Sequence, residues 1–137
     1  MENCIFCKIV SGSQEALKVV ETDHSVAFLD INPLTDGHTV VIPKSHYQHL
    51  SDVPDSELAD LIQTTQKVNK VVQTAMGADG ANIGLNDGEQ AGQAIPHTHF
   101  HIIPRYTGDG GGSFHSIVNM DTREDLEKVQ EQIAVKL

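Results

Sequence analysis

The sequence predicts an α+β fold: a five-stranded antiparallel sheet with one long central helix, a short N-terminal helix and a C-terminal helix. Three observations carry this. Five short runs of apolar and β-branched residues are bounded by turn residues. One long stretch carries apolar residues at helical spacing. No linker, repeat or low-complexity block divides the chain, so residues 1–137 read as one domain. That length supports a hydrophobic core without disulfide staples.

The elements follow in order. Cys4, Ile5, Phe6, Ile9 and Val10, with Gly12 beyond, predict a short helix stopped by glycine. Residues 17–21 and 25–30 predict two strands joined by a turn at Thr22-Asp23-His24. Asn32-Pro33 and Asp36-Gly37 mark a loop, and residues 38–43 a third strand ended by Pro43. Residues 55–76 are the long helix: Leu58, Leu61, Ile62, Val68, Val72 and Met76 recur at 3.6-type spacing. Asp52 or Asp55 is expected to cap its start, and Gly77 follows its end. This helix carries more apolar positions than one packed face requires, Val71, Val72, Ala75 and Met76 among them, and a second buried face would explain the surplus.

Residues 81–86 and 97–103 predict the last two strands, with a glycine-punctuated loop at 87–93 between them. The glycine-rich run at 108–112 lacks a Lys-Ser/Thr ending, so it reads as a flexible loop rather than a phosphate-binding P-loop. A C-terminal helix is expected to begin near Asp121, with Glu124 completing a capping box, and to carry Leu126, Val129, Ile133 and Leu137 along one stripe.

Charge and composition narrow the function. Nine basic and 19 acidic residues give a net charge of −10, against bulk nucleic-acid binding but not against a small anionic ligand in a local site. No apolar run approaches the roughly 20 residues of a membrane span. Met1-Glu2-Asn3-Cys4 has neither the basic nor the apolar region of a secretory signal. Two cysteines make no disulfide framework, so a reducing, cytoplasmic setting is expected.

The most informative segment is His97-Thr98-His99-Phe100-His101-Ile102-Ile103, framed by Pro96 and Pro104. On a strand, alternate residues share a face, so the three histidines line one side roughly 6–7 Å apart. Thr98, Phe100 and Ile102 then point to the core. Three aligned imidazoles suit metal binding, nucleophilic catalysis or acid–base catalysis near neutral pH. Gly92-Gln93-Ala94-Ile95 leads into this stretch and can offer backbone N–H groups to an anion. Asn86 adds an amide donor. Cys4 and Cys7 form a CxxC, which by itself reads as free thiols, a redox pair or half a zinc site. His24, His38 and His115 read as ordinary surface or loop histidines.

The His97 to Ile103 stretch resembles the His-φ-His-φ-His-φ-φ motif of the histidine triad superfamily, with Thr98 at an apolar position. The resemblance extends over nearly the whole chain. Cys4 to Val10, Phe28 to Pro33, Gly37 to Thr39, Ile42 to His46, Asn86 and Gly92-Gln93 are similar to the bacterial protein-kinase-C-inhibitor-like branch. That resemblance implies hydrolysis or transfer at the α-phosphate of purine nucleoside phosphoramidates or related nucleotides. His99 would be the nucleophile that forms a nucleotidyl-histidine, and His101 would hydrogen-bond the phosphate or departing group. Asn86, Gln93 and the backbone near Ala94 and Ile95 would contact phosphoryl oxygens, Asp30 the ribose, and Ile5, Phe6, Ile9 and Ile31 the base.

The resemblance also implies one structural zinc per subunit on Cys4, Cys7, His46 and His97, with His49 as the alternative ligand, and a homodimer. Ala94 stands where many relatives have serine, which keeps the backbone donor and removes a hydroxyl near the leaving group. A dinucleoside polyphosphate hydrolase or nucleotidyl transferase on the same scaffold, a metalloenzyme with zinc on all three triad histidines, and a nucleotide-binding regulator with vestigial hydrolysis are the alternatives.

Overall fold

The computed structural model describes residues 2–137. Five strands form one antiparallel sheet: β1 (Lys18–Glu21), β2 (Ser25–Leu29), β3 (Thr39–Pro43), β4 (Gly80–Gly84) and β5 (Phe100–Arg105). Their order is β1-β2-β3-β5-β4, so the strand that begins beside the histidines inserts between β3 and β4. Three helices accompany the sheet: α1 (Ile5–Ser11), α2 (Asp55–Met76) and α3 (Leu126–Ala134).

Period-two alternation sends the sheet's residues to two cores. Val26, Phe28, Val40 and Ile42 pack with Cys4, Phe6 and Ile9 on the α1 side. Ala27, Val41 and Ile102 pack with Leu61, Val68 and Val72 of α2 on the other. The central strand β3 is buried along its whole length, which explains its unbroken apolar run. Of the apolar surplus expected for this helix, Val72 packs into the core, whereas Val71, Ala75 and Met76, together with Ile62, remain exposed on the single chain.

Several boundaries move from their expected places. Asp55 is the first residue of α2 rather than its cap; Pro54 holds that position, and Asp52 instead accepts from the His49 backbone N–H at 3.2 Å in the preceding turn. The C-terminal helix starts five residues later than expected. Its cap is Asp125, whose carboxylate accepts from the Glu127 N–H at 3.0 Å, not Asp121. Most of its apolar stripe stays in solvent: Leu126, Ile133 and Leu137 are exposed, and only Val129 is half-buried.

The 108–112 loop is pinned rather than free. Arg105 grips both Asp109 oxygens at 2.8 Å, and Asp109 in turn accepts from the N–H groups of Tyr106 and Gly111.

Strand β5 begins at Phe100, so His97 and His99 precede it and only His101 lies in the ladder. The Thr98 N–H is drawn away to the Tyr47 carbonyl at 2.6 Å, which excludes that stretch from sheet pairing. At the other end the strand continues through Pro104, opposite Ala81. Pairing with β3 has already ended at Ile102, which leaves one side of the proline without a ladder partner. Thr98 is 1% exposed with its hydroxyl unpaired, in the core position an apolar residue would take.

Candidate active site and metal-ligand cluster

A cavity of about 450 Å³ opens between α1, the β2–β3 loop and the residues leading into β5. Ile5, Phe6, Ile9, Asp30, Ile31, Asn86, Ala94, Ile95, His99 and His101 all line it. These residues come from four separated stretches of sequence, joined because α1 packs on the sheet face that carries Val40 and His101. Phe28 and Val40 add apolar wall, and no local pattern singled them out from other strand residues. Ile31 sits at the rim, 90% exposed. Phe6 is buried and meets the rings of both His97 and His99 edge-on, with centroids 5.8 and 5.1 Å away.

Gln93 does not line the cavity. Its amide is spent on the backbone: it donates to the carbonyls of Gln48 and Ile95 and accepts from the Gly88 N–H. It therefore holds the 88–95 loop in shape. Among the described residues no protein acceptor takes the N–H of Ala94 or Ile95, and both line the cavity. That leaves two backbone donors for an anion.

The hydrogen bonds fix the protonation pattern of the imidazoles. His99 Nδ1 donates to the His97 carbonyl at 2.7 Å, so its Nε2 carries the free lone pair. The Leu34 N–H donates to His38 Nδ1 at 3.1 Å. His38 must then carry its proton on Nε2, which lies 2.9 Å from His101 Nδ1. His101 Nδ1 is thereby an acceptor, and its proton sits on Nε2. The two rings of His99 and His101, 4.9 Å apart, thus present one lone pair and one N–H donor side by side. Burial holds the His99 imidazole below its usual range and pushes His101 down to about 4, so both are neutral at pH 7.

His38 was expected to be an ordinary surface or loop residue, and that reading is corrected: it is 4% exposed and is the partner that orients His101. The Asp30 carboxylate stands 3.6 Å from its Nε2. The one signal for it in the sequence was its position at the start of β3, whose register places Val40 opposite His101. His24 and His115 are exposed as expected.

His97 turns away from this pair. Cys4, Cys7, His46 and His97 bring four ligand atoms within 4.8 Å of one another. His97 Nδ1 lies 3.5 Å from Cys4 Sγ and 3.7 Å from Cys7 Sγ, and His46 Nδ1 lies 3.3 Å from Cys7 Sγ. Tetrahedral zinc, with bonds of about 2.3 Å to sulfur and about 2.0 Å to nitrogen, sets such atoms about 3.5 Å apart. His97 Nε2 donates to the Pro43 carbonyl at 2.8 Å, which leaves Nδ1 as the metal-facing lone pair. The donor set therefore fits a tetrahedral cation.

The alternative ligand His49 instead pairs with Asp87 at 3.0 Å. The three triad imidazoles do not converge on one point. The other grouping of ligand types, Asp30, His38 and His101, is accounted for by its own hydrogen bonds.

Comparison with known proteins identifies the family. The profile of the HIT domain matches residues 11–108. A HIT-like protein of Methanocaldococcus jannaschii is 47% identical over 128 residues, 93% of this chain and 98% of that protein. The adenosine 5'-monophosphoramidase HNT1 of Candida albicans is 36% identical, covering 96% of this chain and 92% of its own length. Among solved structures, a HIT family member from Bacillus subtilis superimposes with a TM-score of 0.86 at 39% identity, over 98% and 97% of the two chains. A zinc-bound histidine triad family protein from Mycobacterium smegmatis gives 0.75 at 34% identity, over 97% and 98%. No helix of the described residues is long and apolar enough to cross a membrane. On the match to its domain profile and on relatives that align over nearly its full length, the chain belongs to the HIT domain family.

Proposed function

We propose that this protein hydrolyses purine nucleoside phosphoramidates, or closely related nucleotides, at the α-phosphate through a nucleotidyl-histidine on His99. The observation that carries the reading is the 2.7 Å bond from His99 Nδ1 to the His97 carbonyl, which leaves Nε2 with the lone pair that nucleophilic attack requires. A relative of 36% identity named as a monophosphoramidase supports the same reaction class.

In this reading Ile5, Phe6, Ile9 and Ile31 hold the base, and Asp30 accepts from the ribose hydroxyls. Asn86 and the N–H groups of Ala94 and Ile95 stabilise charge on the phosphoryl oxygens. Gln93 acts through the loop it holds. His99 Nε2 bonds to phosphorus as the P–N bond of the substrate breaks. The leaving nitrogen keeps the electron pair, takes up a proton from solvent and departs as an amine. The positive charge on the modified imidazole is shared with the His97 carbonyl through Nδ1–H. Water then cleaves the new P–N bond, releasing nucleoside monophosphate and returning the proton.

Zinc on Cys4, Cys7, His46 and His97 would be structural, with four protein ligands and no open position, tying the N-terminal segment to the approach to β5. The active form would be a homodimer in the cytoplasm.

The test is to quench the protein during turnover of adenosine 5'-phosphoramidate and map the modified residue. An acid-labile adduct on His99, together with loss of turnover by at least a thousandfold but retained nucleotide binding in His99→Ala, is the expected result. An adduct on His101, or near-normal turnover by His99→Ala, would falsify the assignment.

A further inference from the structure

A second cavity of about 420 Å³ shares only His101 and Asn86 with the first. Its walls include Leu34, Leu85, Ile103, Phe114 and Ile117. Gly84 belongs to it as well: a Cβ there would lie 2.6 Å from the Phe114 ring, so the ring rests on bare backbone. No lysine or arginine lines this space. The nearby Arg105 guanidinium is committed to Asp109, the Asn82 side chain and the Gly112 carbonyl. The chain as a whole carries −10.

We propose that this cavity receives the leaving group of the reaction, and that the group it fits is the carbon skeleton of a hydrophobic amine. The inference rests on the phosphoramidate reading above and deepens it. The two cavities meet at His101, whose Nε2–H is placed to hydrogen-bond the departing nitrogen. An amine leaves uncharged once it has taken its proton, so its carbon atoms can enter an apolar space without a counter-charge. A polyphosphate leaving group carries several negative charges, and this space holds no cation to meet them. The geometry thus separates two substrate classes that share the nucleotide half of the site.

The experiment compares kcat/KM for adenosine 5'-phosphoramidates of ammonia, butylamine and 2-phenylethylamine, with a diadenosine polyphosphate alongside. The wild-type protein should gain roughly two- to fourfold per methylene buried in the cavity. It should favour the phenylethylamine substrate over both the unsubstituted one and the diadenosine compound. In Ile117→Asp and in Phe114→Ser the preference for phenylethylamine over ammonia should fall at least fivefold. That preference is a ratio within one preparation, so it does not depend on how much of a variant is folded. A flat series in the wild type, a preference for the diadenosine compound, or an unchanged ratio in both variants overturns the cavity assignment alone. Absence of turnover on every phosphoramidate overturns the underlying functional reading, and the leaving-group assignment with it.

Discussion

His38 Nε2 lies 2.9 Å from Nδ1 of His101, and the Leu34 backbone N–H on the other side of the His38 ring decides which atom of that pair is the donor. A backbone amide thereby sets, through two rings, the proton that His101 offers to the site. His38 is a positioning residue: it lines the second cavity beside His101 and acts through that ring.

Replacing it should therefore impair turnover more than binding. In His38→Ala, His101 loses its partner and keeps a half-buried, unsatisfied acceptor, a loss of about 1–3 kcal/mol or roughly five- to 150-fold in kcat. KM for the nucleotide substrate should change by less than about threefold, because the contacts of the base and ribose are untouched. Steady-state kinetics check this split. A fall confined to KM, or no fall at all, would contradict the orienting role.

The same burial predicts a pH dependence of stability. Burial, the largest cause, pushes His101 down to about 4 and lowers His38, where Asp30 opposes the shift. An unfolded histidine titrates near 6.5. Between those values the unfolded chain binds more protons, so unfolding free energy rises with pH across that window. The contribution is complete above about pH 6.5 and is lost as pH falls toward about 4. Urea midpoints at pH 7, 5.5 and 4.5 should decline more steeply in the wild type than in His101→Asn. Parallel declines would show that His101 does not contribute.

Metal content is directly measurable. Protein purified without chelator or affinity tag should contain close to one zinc per chain by elemental analysis. The double substitution Cys4→Ser, Cys7→Ser removes both sulfur ligands and should lose the metal and lower Tm by several degrees, with some turnover retained. Unchanged metal content in that variant would refute the ligand set.

The exposed apolar residues of α2 flank its buried stripe, Ile62 and Met76 on one side and Val71 on the other, and are the basis for expecting a second copy against this helix. Light scattering at micromolar concentration should give twice the mass of the chain. Val71→Glu combined with Met76→Glu should shift the protein toward monomer, since burying either carboxylate unpaired is costly. A monomeric wild type would sink the assignment.

Much of this protein was legible in its sequence. Apolar periodicity placed five strands and the long helix, because burial of one face imposes a period that the residues must show. Alternation put Thr98 and Ile102 into the core and the histidines on the other side, even though the ladder itself begins only at Phe100. The cavity-lining set, read from resemblance, comes together almost entire.

What the sequence could not supply were the partners chosen in three dimensions. Periodicity says that three imidazoles share a face; it does not say that His97 turns to two cysteines 93 and 90 positions upstream while His99 turns to a carbonyl. His38 looks like a loop residue until β3 pairs with β5 and brings it to His101. Gln93 and Asp52 carry side chains suited to a ligand or a helix cap, and each is spent on a neighbouring backbone instead. A local pattern fixes which groups are buried together. Which nitrogen keeps its lone pair depends on the nearest acceptor or donor across the fold, and only the packed tertiary structure decides that distance.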